Sequence, residues 1–123
     1  MPVIGVHKYI SLTYIRELSG GEATFMRALI HTFIDEMPDE RNALRTAYSD
    51  DDEVGFRHCF HKIKTRMAVF ANDEIKTYVA KIDELVQLSS LKLNVLTQDL
   101  ERLILYFELM TSELRAYLLV FPR

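Results

Sequence analysis

Apolar residues recur along this chain at steps of three and four, the spacing that lines one face of an α-helix, rather than in the alternation of a half-buried strand. The pattern predicts an all-α fold: an antiparallel four-helix bundle with a short extra N-terminal helix. Val3, Ile4, Val6 and Tyr9 lack helical spacing, so residues Met1 to Ile10 are expected to form an extended lead that packs onto the domain. Ser11 is suited to cap a short helix in which Leu12, Ile15 and Leu18 share a face, and Gly20-Gly21 supplies its stop. From Glu22 onward Phe25, Leu29, Phe33 and Met37 repeat every four residues, and Leu44 and Tyr48 resume the pattern beyond Pro38. That proline removes a backbone donor and crowds the preceding turn, so the helix is expected to kink or break there.

The acidic run Asp50, Asp51, Asp52, Glu53 reads as a turn and the first positions of the next helix, where carboxylates meet free N–H groups and the helix dipole. It lacks the alternating spacing of a calcium loop. In the helix that follows, Phe56, Phe60, Ile63, Met67 and Phe70 fall in one stripe roughly 80° wide, which is a core face. Ala71-Asn72 makes a tight connection, with Asn72 suited to a capping or left-handed conformation. Ile75, Tyr78, Val79, Ile82, Leu85 and Val86 form the next apolar face, fading around Ser89-Ser90. The last helix carries a heptad seam of Leu93, Leu96, Leu100, Leu103, Phe107, Met110, Leu114, Tyr117 and Phe121, about 40 Å long. Ile104, Leu105, Leu109, Leu118 and Leu119 add apolar surface off that seam. The lead and the first helix are expected to cover it; a homodimer or partner-helix contact is the alternative.

Composition narrows the setting. At 123 residues, 49% hydrophobic, the chain suits one domain over 1–123 with a real core. A net charge of -3 and a pI near 5.8 argue against non-specific nucleic-acid binding. Cys59 is the only cysteine, so no internal disulfide can form, and the cytoplasm is the expected compartment. The N-terminus lacks an export signal, and no run of apolar residues is long enough to span a membrane.

Candidate chemistry lies opposite the Phe56–Phe70 stripe. Arg57, His61, Lys64, Thr65 and Ala68 cluster about 80–180° from its middle, which presents His61 to solvent with Lys64 one turn along. A neutral imidazole is a nucleophile near pH 7 and can accept and release a phosphoryl group. An ammonium at i+3 would neutralise part of the transferred charge. Lys62, Arg57 and Arg66 make the surround basic, and the small Thr65 and Ala68 leave room for another protein to approach. The competing metal reading, through His58, Cys59 and His61, suffers because Cys59 turns towards the core and His58 lies about 60° from His61.

The segment FHKIKTRMAVFAN resembles the histidine-containing phosphotransfer (HPt) domain, whose signature is Ala-His-x-Leu-Lys-Gly followed by small residues and a glycine turn. LTYIRELSGG and FMRALIHTFIDEMP look like the family's first two helices, and IKTYVAKIDEL like its next one, so the likeness spans Ser11 to Leu88. It implies a four-helix bundle in which His61 is the phospho-acceptor and Lys64 its charge partner. Arg57, Lys62, Thr65 and Ala68 would then lie on the docking surface. It further implies a receiver domain of a response regulator and a histidine or hybrid kinase as partners. The receiver would supply the Mg²⁺ and the acidic pocket, so this chain would need no cofactor or metal of its own and would be a carrier rather than an enzyme. Met1 and the compact length favour a free-standing, monomeric relay, with dimerisation through the last helix as the variant. The chain departs from the signature at Phe60, Thr65 and Ala71, where the family has Ala, Gly and the turn glycine. Thr65 gives most weight to the alternative, a degenerate HPt-like adaptor that binds receivers or dimerises without phosphotransfer.

Overall fold

A computed structural model of the chain describes residues 8–88 and 91–120. Among these the fold is all-helical: α1 (Thr13–Ser19), α2 (Ala23–Ser49), α3 (Glu53–Phe70), α4 (Asp73–Val86) and α5 (Thr97–Val120), the last preceded by a 3₁₀ turn at Leu93–Leu96. The only extended pairing among them is an isolated bridge between Ile10 and Ala71. Val3, Ile4 and Val6 of the expected lead, the fade at Ser89-Ser90, and Phe121 of the heptad seam lie outside the described residues.

The helix boundaries follow local chemistry. Gly20 closes α1 in the left-handed region at φ 64°, and Gly21 at φ 79° donates its N–H to the Arg16 carbonyl at 2.9 Å. The Glu22 carboxylate caps α2 by accepting from the N–H groups of Thr24 and Phe25 at 3.1 and 2.7 Å. Those bonds, the one from Phe25 first, hold its carboxyl below the ordinary range. The acidic run folds as expected, with Asp51 at φ 52° and Asp52 accepting from the Gly55 N–H at 2.9 Å to cap α3. A Cβ at Gly55 would meet that carboxylate, so a larger residue here would require the Asp52 cap to shift. Asn72 caps α4 through the Ile75 N–H at 2.9 Å. Ala71 and Asn72 have ordinary φ values of -68° and -72°, so this connection needs no turn glycine.

Each of α2 and α4 packs against both α3 and α5, and α1 lies against α2 and α3. The stripe predicted for α3 is buried residue for residue, with Phe56, Phe60, Ile63, Met67 and Phe70 all in the core. Phe33 joins three helices by meeting Phe70 and Phe107 edge-on, at centroid distances of 5.2 and 6.5 Å. The predicted seam of α5 is buried from Leu93 to Tyr117.

Several expectations are corrected. The cap residue of α1 is Leu12, not Ser11, and its own side chain makes no capping bond; the Ser11 hydroxyl accepts a long bond from the Thr13 N–H at 3.5 Å, and Leu12 is itself buried, so packing sets the start. Leu18 and Phe25 are exposed and Leu29 is half-buried; the inner face of α2 keeps the expected Phe33, Met37 and Leu44 and adds Met26, Ile30 and Ile34. Pro38 does not break α2, which runs for 27 residues in all because Met37 and Leu44, on either side, are anchored in the core. Leu85 sits outside the buried face of α4. The last helix proper begins at Thr97, so it is about 36 Å long rather than about 40 Å. Of its off-seam residues, Ile104 joins the core and Leu109 and Leu118 are half-buried, whereas Leu105 and Leu119 are 51% and 87% exposed. The described residues therefore leave Leu105 and Leu119 uncovered.

What the described part of the lead does is tie itself down. The backbone N–H groups of Lys8, Tyr9 and Ile10 all donate to the Glu113 carboxylate of α5, at 2.6, 2.7 and 2.9 Å. On its other side, Asn72 donates from its backbone to the Tyr9 carbonyl and from its side chain to the Lys8 carbonyl, at 3.0 and 2.8 Å. Ser11 N–H donates to the Phe70 carbonyl at 2.7 Å. The lead thus bridges the α3–α4 turn to α5.

Candidate functional site: the outer strip of α3

Because the buried stripe of α3 is continuous, the opposite face is continuous too. His58, His61, Lys62, Thr65 and Ala68 are all exposed along it. His61 stands near its middle, as the periodicity requires. Phe60, where the phosphotransfer signature has alanine, points into the core and leaves the strip unaltered.

Ion pairs mark the margins of the strip. Towards α2, Arg66 pairs with Glu36 and with Glu40, the latter at 2.7 Å. Towards α4, Lys64 pairs with Asp83 at 3.1 Å, and Asp83 also accepts from the Gln87 side chain at 3.2 Å. Arg57 binds Glu53 at 2.7 Å and the Leu88 carbonyl at 2.5 Å, tying the start of α3 to the end of α4. These flanks fix the orientation of α3, and so of His61, relative to both neighbours.

Two predicted site residues behave differently from expectation. Lys64 is half-buried rather than freely exposed, and its ammonium is engaged by Asp83. Arg57 is likewise half-buried and committed to neighbouring groups rather than projecting into solvent. Thr65 is exposed, and its hydroxyl donates to the His61 carbonyl at 2.9 Å, one helical turn back. The hydroxyl is thereby directed along α3 rather than outward. Lys62 and Ala68 lie in the open strip as expected.

Sequence reading missed Asp83, Glu36 and Glu40. Asp83 follows the buried Ile82 at the margin of the α4 face, where a cation from a neighbouring helix can reach it; only the packing of α3 on α4 identifies Lys64 as that cation. Cys59 is half-buried, and burial first of all pushes its thiol pKa up, which makes it a poor thiolate. Among the described residues, no three His, Cys, Asp or Glu side chains converge on a point that could hold a metal ion. No helix among them is long and apolar enough to cross a membrane.

No family model, curated protein or solved structure matches this chain. The functional reading therefore stands on the strip itself and on what an exposed imidazole flanked by a tethered ammonium can do. Such a group offers a lone pair to an electrophile carried by a large partner, and the adjacent ammonium can offset negative charge arriving with it.

Proposed function

We propose that this chain is a histidine phosphocarrier of the HPt type, in which α2–α5 form an antiparallel four-helix bundle and α1 is the short extra helix. His61 takes the phosphoryl group from one partner and yields it to another. With a receiver's aspartyl phosphate, the neutral imidazole lone pair forms a P–N bond as the P–O bond breaks. The aspartate leaves as carboxylate and the remaining ring N–H proton passes to solvent. The receiver brings the Mg²⁺; this chain supplies a positioned nucleophile and a docking surface, and needs no cofactor of its own. Lys64 steadies the phosphoryl group, moving from Asp83 to do so. The partners are a response-regulator receiver and a histidine or hybrid kinase, which places the protein in the cytoplasm.

The observation that carries this reading is the exposure of His61 on a strip held on both sides by ion pairs, with Lys64 one turn on. The test is incubation with phosphorylated receivers or kinase, looking for acid-labile, base-stable phosphate that disappears in His61→Ala. A specific observation favours a second reading, a receiver-binding adaptor without phosphotransfer: Lys64 is already neutralised by Asp83, and Thr65 stands where the signature has glycine. Binding of a receiver with no label on His61 would establish the adaptor instead.

A further inference from the structure

We infer that the cleft between α3 and α4 is a binding site for a small amphiphilic carboxylate, a molecule with an apolar body ending in one acid group. This goes beyond phosphotransfer and does not depend on it. The cleft has a volume of about 320 Å³, within the range of small-ligand sites. Its walls come from positions 64, 67 and 68 of α3, position 71 just past its end, and positions 76, 79, 80 and 83 of α4. Each set is spaced i, i+3, i+4, i+7, so each helix turns one whole face towards the cleft.

The cleft exists because Ala68, Ala71 and Ala80 stand where larger side chains would close the two helices on each other. Met67 and Val79, both buried, form its floor. The chain doubles back at Ala71-Asn72, so Lys76 lies at the turn end of the cleft and the Lys64–Asp83 pair at the other. Seven residues of α3 separate these ends, roughly 10 Å. Lys64 and Asp83 neutralise each other, which leaves Lys76 as the uncompensated charge of the lining. A neutral end, an alanine-walled middle and a cationic end complement an apolar chain with a single carboxylate.

Octanoate, kept below its micellising concentration, is the probe, titrated into the full chain with amide chemical shifts and the thermal midpoint as readouts. The expected result is saturable shifts centred on residues 64–83 and a raised midpoint. Ala80→Leu fills the cleft at an exposed position with a good helix former, so it should retain the fold by circular dichroism while abolishing binding. Lys76→Ala and the neutral analogue octanol should each bind roughly two- to fivefold more weakly, the scale of an exposed ion pair. Absence of saturable shifts, or binding undiminished by Ala80→Leu, would overturn the site. Octanol binding as well as octanoate would overturn its preference for acids.

Discussion

α3 and α5 are both amphipathic, yet they differ on the side away from the core. The outer face of α3 is mostly polar, Val54 near its start being the large apolar residue it exposes, and the charged residues at its margins are engaged by α2 and α4, so its orientation is doubly determined: from within by five core side chains and from without by ion pairs. The outer face of α5 keeps Leu105 and Leu119 in water, and its polar contacts sit elsewhere along the helix: Glu113 holds the lead, Glu108 pairs with Arg41 of α2 at 3.4 Å, Thr97 meets Tyr48 of α2, and Asp99 accepts from Tyr78 of α4. Apolar periodicity alone orients a helix only to within the width of its stripe. Polar contacts at the margins decide the rest, and a helix that must present one side chain in a fixed direction benefits from having them on both sides.

Substitutions can break this contrast at several levels. The largest effect should come from Phe60→Ala, which empties a core site and is expected to cost about 3–5 kcal/mol in urea unfolding. Glu113→Ala should cost about 1.5–3 kcal/mol, since three backbone donors lose a charged acceptor, and hydrogen exchange at Lys8, Tyr9 and Ile10 should accelerate. A loss as small as that of a surface glutamate would mean that the clasp contributes nothing.

The α4–α5 contact can be probed by pH. Burial, then the hydrogen bond donated to Asp99, pushes the Tyr78 hydroxyl up to about 12, while Arg102 over its ring acts in the opposite sense. A folded pKa raised above the unfolded one means that the stabilisation is complete below about 10 and is lost as pH rises towards about 12. Tyr78→Phe should therefore be less stable than wild type at neutral pH, and the gap should narrow across that window. A gap independent of pH would sink this account.

Smaller still, Lys64→Ala removes a half-exposed ion pair and should cost at most about 1 kcal/mol while slowing phosphoryl transfer to or from His61. A collapsed fold would show that the Lys64–Asp83 flank is structural rather than functional. Leu105→Ser should change stability by under about 0.5 kcal/mol, unless the face of α5 is covered by a second copy, in which case light scattering would register the loss of a dimer.

The same contrast explains what could be read from the sequence. On α3 the five stripe residues, a carboxylate cap from the acidic run and the outward direction of His61 followed from spacing and residue type, since all are properties of a single helix; that Asp52 is the capping member came from the structure. Leu18 and Phe25 were misread because they flank a turn, where the direction of a short helix decides which apolar residues meet the core. Pro38 has a strong local signal, but packing on both sides of it prevailed. Lys64–Asp83 spans 19 residues and Arg66–Glu40 spans 26, so neither partner follows from local periodicity. Sequence alone left Lys64 looking like a free cation.

The Glu113 clasp has a consequence for the order of folding. Its bonds close loops of 103 to 105 residues, among the costliest in entropy that this chain can make. On the ribosome residues 8–11 can bond to Phe70 and Asn72 long before α5 emerges, whereas their bonds to Glu113 must wait until position 113 has been synthesised. The clasp onto α5 is therefore the later of the lead's two attachments, and protection of the Lys8, Tyr9 and Ile10 amides from exchange would time it.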